Sequence, residues 1–251
     1  MTLQEDISNW LKKYLLDNKL ESFIIGVSGG IDSAVVSTLC AMTGIKTMVA
    51  IMPIYQNQDE TNRGLEHCRW LSEKYNNVEV LNMNLSSIYN EFVNIVPKDY
   101  NSPLAYANTR ARIRMATLYL ISGNSNGIVV GTGNKVEDFG VGFFTKYGDG
   151  GVDISPIADL MKSEVFSLAK EMNISPSILN AKPTDGLWDD GRTDQDQLGV
   201  SYDDLEWAMN YNGQELNKEQ QKILSIYNKH RKANVHKMKD IPIYKKNNYK
   251  K

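Results

Sequence analysis

Residues 26 to 33 read Gly26-Val27-Ser28-Gly29-Gly30-Ile31-Asp32-Ser33, between the apolar run Phe23-Ile24-Ile25 and the helix-like stretch Ala34-Val35-Val36-Ser37-Thr38-Leu39. A buried strand that breaks at Ser-Gly-Gly and resumes at once as a helix commits the chain to a strand–loop–helix unit with an anion seat at the turn. The two glycines can take positive φ and let the backbone approach a ligand closely. The helix behind them aims unpaired N–H groups and its positive dipole end at the same point. No Gly-Lys-Ser/Thr follows, so the loop is not of the Walker kind. Ser28 and Ser33 supply hydroxyls in place of a lysine, and Asp32 adds a carboxylate. A carboxylate beside a phosphate cradle calls for a divalent metal between them, and Mg²⁺ with a nucleotide is the usual pairing.

The rest of the chain repeats the strand–helix alternation. Leu3, Ile7, Trp10, Leu11, Tyr14 and Leu15 recur at helical spacing, so the chain opens on an amphipathic helix. Strands are predicted over 22–28, 46–53, 78–83 and 127–131, with helices over 32–42, 59–75, 86–96 and 103–122 between and after them. Strands separated by helices of this length imply parallel βαβ units, a doubly wound α/β sheet with helices on both faces. Beyond Gly133 the strand signal fades, and 164–172, 202–209 and 217–232 read as a helical C-terminal extension. The stretch 181–199 reads as a loop, long enough for a lid or binding segment. One domain over 1–251 accounts for the whole pattern.

Composition narrows the function by exclusion. A net charge of −2 offers no general field for nucleic acid or an anionic membrane. The basic residues at the end, Lys237, Lys239, Lys245, Lys246, Lys250 and Lys251, read as a solvated tail. Cys40 and Cys68 form no Cys-x-x-Cys pair and suit a reducing cytoplasm. The first residues mix Gln4, Glu5, Asp6 and Lys12 among apolar ones, unlike a signal peptide, and no apolar run is long enough to span a membrane.

In open α/β sheets ligands bind beyond the carboxyl ends of the strands. Ser28–Ser33, Met52-Pro53 and Thr132–Glu137 all fall there. Thr132 offers a hydroxyl, and Glu137 a carboxylate able to complete a metal site with Asp32. The segment from Phe143 to Asp153 crowds Lys146, Asp149 and Asp153 among aromatics and glycines. That suits recognition of a carboxylate, phosphate, ribose or amine. Arg110, Arg112 and Arg114 alternate within a helical stretch, so at most one or two of them face a single site.

Together these strings resemble the ammonia-dependent NAD synthetase family of the PP-loop ATP pyrophosphatases. The resemblance rests on Ser-Gly-Gly-Ile-Asp-Ser, Ala-Arg-Ile-Arg-Met, Gly-Thr-Gly-Asn-Lys with Glu137, Phe-Thr-Lys-Tyr-Gly-Asp-Gly, Pro156 followed by Leu160 and Lys162, Leu187-Trp188, Thr193-Asp194, Gln197-Leu198-Gly199 and His236-Lys237. It implies adenylation of the nicotinate carboxylate of deamido-NAD by ATP, then displacement of AMP by ammonia. By motif, Gly26, Val27, Ser28, Gly29, Gly30, Ile31, Asp32 and Ser33 would hold ATP, together with Met52, Thr132, Lys162 and Thr184. Asp32 and Glu137 would ligate Mg²⁺. Arg112, Lys146, Asp153, His236 and Lys237 would contact deamido-NAD. Asp32, Lys146 and Asp149 would be catalytic, and the group that deprotonates ammonium is left between Asp149 and Asp153. The resemblance also implies a homodimer, and ammonia as donor in the absence of a glutaminase domain. The competing readings are another PP-loop enzyme amidating or thiolating a nucleotide, and a nucleotide-binding module without catalysis.

Overall fold

The computed structural model describes residues 1–184 and 193–246. Leu187-Trp188, the middle of the expected 181–199 loop, and Lys250 and Lys251 lie outside them. Four parallel strands form the sheet: β1 (Ser22–Gly26), β2 (Lys46–Ile51), β3 (Val78–Asn82) and β4 (Gly127–Val129), in the order β3-β2-β1-β4. The register pairs Ile24 with Met48 on one side and Val129 on the other. Past the end of β4, Val130 adds an isolated parallel bridge to Ile154, so the sheet continues slightly where the sequence signal fades.

Helices α1 (Leu3–Asp17), α2 (Ile31–Met42) and α3 (Gln58–Lys74) alternate with the first strands, followed by α4 (Ser86–Ile95) and α5 (Pro103–Asn124). Strand side chains alternate between faces. Phe23 and Ile25 meet α1, α2 and α6 (Lys162–Glu171) in the largest core, and Val49 and Ile51 meet Cys68 and Leu71 of α3. Ala50 and Met52 point the other way, toward α4 and α5. The doubly wound arrangement therefore stands. In α1, Ile7, Leu11 and Leu15 go inward, and Trp10 stays half exposed. Thr2 caps that helix reciprocally with Glu5.

The helical extension comprises the short α7 (Pro176–Leu179) and α8 (Asp194–Leu198), then α9 (Tyr202–Met209) and α10 (Lys218–Met238). The expected loop thus ends in a turn of helix, capped by Thr193. Helix α10 runs past its expected end at 232 and carries His236 and Lys237 in its last turn. Lys237 is consequently no tail residue: its Nζ donates to the Phe144 carbonyl at 2.7 Å.

One polar group sits deep in this core. His67 of α3 is 2% exposed, and its Nε2 lies 2.9 Å from the Ser37 hydroxyl of α2. Burial lowers its pKa to about 4. The unfolded chain would take up that proton near pH 6.5, so the histidine's contribution is present above that pH and is lost as pH falls through 4. Chemical denaturation of wild type against His67→Gln should show a slope of about 2 kcal/mol between roughly pH 7.5 and pH 5 that the variant lacks. Parallel curves would remove His67 as its source.

Candidate active site

The turn after β1 folds as its composition demands. Gly29 has φ +90°, and a Cβ there would lie 2.2 Å from the Glu60 carbonyl of α3, so both conformation and close approach require glycine. The Ser28 amide donates to Ser33 Oγ at 3.2 Å, and Ser33 Oγ donates to the Gly30 carbonyl at 3.0 Å. Gly30 begins α2 without a side-chain cap, so the helix's first-turn N–H groups remain for an anion.

The second glycine-rich turn leads into a short π helix, Lys135–Val141. Asn134, fully buried, explains its placement. Its Oδ1 accepts from the Val136 and Glu137 amides at 3.1 and 3.0 Å, and its Nδ2 donates to Asp32 at 3.1 Å. One side chain therefore sets both carboxylates. Such π turns recur at functional sites.

Between the carboxylates lies Lys162, 3% exposed, with Nζ 2.6 Å from Asp32 Oδ2 and 2.8 Å from Glu137 Oε1. Burial pushes both carboxyls up. At Glu137 the Lys162 charge, with hydrogen bonds from Lys162 and Tyr202, outweighs burial and holds the carboxyl below its usual range. At Asp32 burial prevails and the carboxyl is raised. Burial opposes a charged Lys162, but the two carboxylates overcome it and keep the ammonium protonated.

Two carboxylates against one ammonium leave a net negative centre beside an anion cradle. These hard oxygen donors fit Mg²⁺, which binds through one or two carboxylates plus substrate phosphates. Among the described residues no cluster of three or more metal-ligating side chains exists. The rest of the coordination would come from phosphate and water.

A cavity of about 630 Å³ opens over this centre. It gathers Gly26, Val27, Ser28, Gly30, Ile31, Asp32 and Ser33 with Met52, Thr132, Glu137, Lys162 and Thr184. Arg112, Lys146, Asp149, His236 and Lys237 line the same space. Two expected residues stand apart from the lining. Gly29 packs on α3. Asp153 accepts from the Tyr119 hydroxyl at 2.8 Å and the Val129 amide at 2.9 Å.

The segment 143–153 forms the far wall because its glycines press onto α5: a Cβ at Gly148 would lie 2.8 Å from that of Ala111. Thr145 anchors it, donating from its hydroxyl to Asn108 at 2.7 Å and from its amide to Asp149 at 3.0 Å. Helix α10 then clamps the preceding carbonyls through Arg231, Asn234 and Lys237.

Several groups at the site escape sequence reasoning. Arg114 reaches the cavity beside the expected Arg112, and its Nε donates to the Met52 carbonyl at 2.9 Å. Burial and neighbouring Arg110 lower the Arg114 pKa to about 10. Asp138 joins Asp149 and Lys237 on the lining. Burial and the charges of Asp149, Glu137 and Asp32 raise its carboxyl well up. Asp149 opens onto the cavity, yet its protein surroundings desolvate and raise it too. Tyr202 and Asp194 complete the set around Glu137. Alternation picked out the arginines as a group, but nothing local marked Asp138 or Tyr202.

Comparison with known proteins gives a consistent picture. The profile of the family described as NAD synthase matches residues 3–251. The NH(3)-dependent NAD(+) synthetase of Alkaliphilus metalliredigens is 39% identical, over 79% of this chain and 82% of its own. A solved structure of NMN synthetase from Francisella tularensis superposes with TM-score 0.87 and 33% identity, covering 96% of this chain and 97% of that one. The NH3-dependent NAD synthetase from Campylobacter jejuni gives 0.77 and 26%, covering 97% and 98%.

Gly29 is where the cradle breaks most easily. Gly29→Ala should lower unfolding stability by roughly 2 kcal/mol or more, through strain at positive φ and overlap with α3. Denaturant titration checks it; an unchanged midpoint would mean the loop relaxes without cost.

Proposed function

Because the chain belongs to the NAD synthase family, we propose that it is an amide-forming ligase that uses ATP and ammonia to convert deamido-NAD to NAD, releasing AMP and pyrophosphate. One observation carries this reading: a single cavity joins the Ser-Gly-Gly-Ile-Asp-Ser turn to the Phe-Thr-Lys-Tyr-Gly-Asp-Gly wall across the Asp32–Lys162–Glu137 centre. An anion seat for a triphosphate and a cationic wall for a second anionic substrate face each other there.

The carboxylate oxygen of the acid attacks the α-phosphorus, and the bond to pyrophosphate breaks. Ammonia then attacks the activated carbonyl carbon, AMP leaves, and a proton is lost from nitrogen. The protein's work is to position two anions and offset their charge. Residues 26–28 and 30–33 with Thr132, Lys162 and Thr184 hold ATP, with Met52 against the adenine. Arg112, Lys146, His236 and Lys237 hold the acid. When bound at Asp32 and Glu137, Mg²⁺ supplies charge neutralisation at the phosphates. Asp149, raised and open to the cavity, suits the proton acceptor. Asp153 suits it less, since both its oxygens already accept hydrogen bonds.

A second reading has its own support. The Francisella NMN synthetase is nearer in fold and identity than the Campylobacter NAD synthetase. On that reading the acid is nicotinate mononucleotide and the chemistry is unchanged.

A single synthetase domain working in the cytoplasm completes the proposal, supported by the nearly full-length family match and two buried free thiols. Among the described residues no helix is long and apolar enough to cross a membrane. A second copy is the proposed occupant of the α4 face carrying Ile88, Phe92 and Ile95, all at least half exposed.

An assay with ATP, Mg²⁺ and ammonium should yield an amide from one of the two acids, and the ratio of their kcat/KM decides between the readings. No amide from either would overturn both. Asp32→Asn should abolish adenylation while the circular dichroism spectrum persists. Sedimentation should show a dimer that Phe92→Asp dissociates; a wild-type monomer would refute the interface.

A further inference from the structure

Tyr202, at the start of α9 and 6% exposed, has no part in the chemistry above, yet it touches every charged member of the centre except Asp32. Its hydroxyl lies 2.6 Å from Glu137 Oε1 and 3.1 Å from Asp194 Oδ2, and Lys162 Nζ lies 5.0 Å from its ring centroid. The ring belongs to an apolar cluster with Val136, Leu198 and Leu205.

Glu137 is held from several sides. Lys162 and Tyr202 both donate to Oε1, and the Asn134 side chain also bonds the carboxylate. Asp194 adds a tether: its amide donates to the Pro183 carbonyl at 3.1 Å, so the chain on either side of residues 184–193 is pinned at Asp194, beside the cavity-lining Thr184.

We infer that Tyr202 is a positioning residue for a divalent cation: its hydroxyl, shared between Glu137 and Asp194, fixes the Glu137 carboxylate at the cavity wall and fastens the Thr184-bearing segment to the same seat. This rests on the reading of Asp32 and Glu137 as the cation's ligands. Groups that orient a metal ligand without touching the metal are worth about 10–100-fold in affinity. A purely structural tyrosine would change melting temperature and leave metal affinity alone.

The test is calorimetric titration of Mn²⁺ into enzyme presaturated with ATP, with no acid substrate present. Tyr202→Phe keeps the ring, its packing and its contact with Lys162, and should raise the Mn²⁺ dissociation constant at least about tenfold. Asp194→Asn should weaken binding less, and the double variant should bind as Tyr202→Phe does, because both act through one hydroxyl. The Mg²⁺ concentration for half-maximal rate should move in parallel. Unchanged Mn²⁺ affinity in Tyr202→Phe would overturn the positioning role and leave the cation seat standing. Additive losses in the double variant would overturn the shared hydroxyl. No Mn²⁺ uptake by wild type would sink the seat itself, and Tyr202's role with it.

Discussion

Two carboxylates and one ammonium, drawn from α2, the π turn and α6, meet out of bulk solvent in this protein, and much of the site's construction serves that meeting. Taking Lys162 to 3% exposure is unfavourable unless its charge is matched at close range, and 2.6 and 2.8 Å contacts to two carboxylates do so. The match is deliberately incomplete in sign: one positive charge for two negative ones leaves the centre receptive to a further cation. Removing the lysine would leave two like charges facing each other, whereas removing either acid would leave a neutral pair.

That centre explains its surroundings. Asn134 caps the π turn with its carbonyl oxygen and reaches Asp32 with its amide nitrogen, so the position of one acid is coupled to that of the other. Tyr202 donates to one oxygen of Glu137 at 2.6 Å. Helix α10 performs a similar service further out. Its arginine, asparagine and lysine donate to carbonyls between residues 140 and 144, fixing the wall that carries Lys146 and Asp149. The substrate side of the cavity thus depends on α10, a helix remote in sequence from the phosphate cradle.

Legibility in the sequence followed the range of the interaction. The Ser-Gly-Gly turn was readable because backbone conformation, hydroxyl and dipole all act within eight residues. Strand and helix alternation was readable because side-chain period is local; ends departed, as with β1 stopping at Gly26 and α10 continuing to Met238, and the short α7, α8 and the π helix went unread. The arginine trio shows the limit. Alternation said that the three could not share one face, and α5 packing placed Arg112 and Arg114 on the cavity and Arg110 over the Tyr89 ring. Asp138 looked like an ordinary acidic residue until its neighbours across the fold were known.

From sequence alone came the class of sheet, the phosphate cradle, the pairing of Asp32 with Glu137 and the resemblance that named the chemistry. Each rests on residue types at short spacing, where covalent geometry and local hydrogen bonding decide the outcome. Tertiary structure alone decided that Lys162 bridges the acids, that Asn134 aligns them, that Tyr202 holds one of them, and that Asp153 serves β4 instead of the cavity. Lys162 and Asp32 are 130 residues apart and Asn134 and Asp32 are 102. Contacts at such separations are set by how layers pack, and no local pattern encodes where two distant side chains will meet.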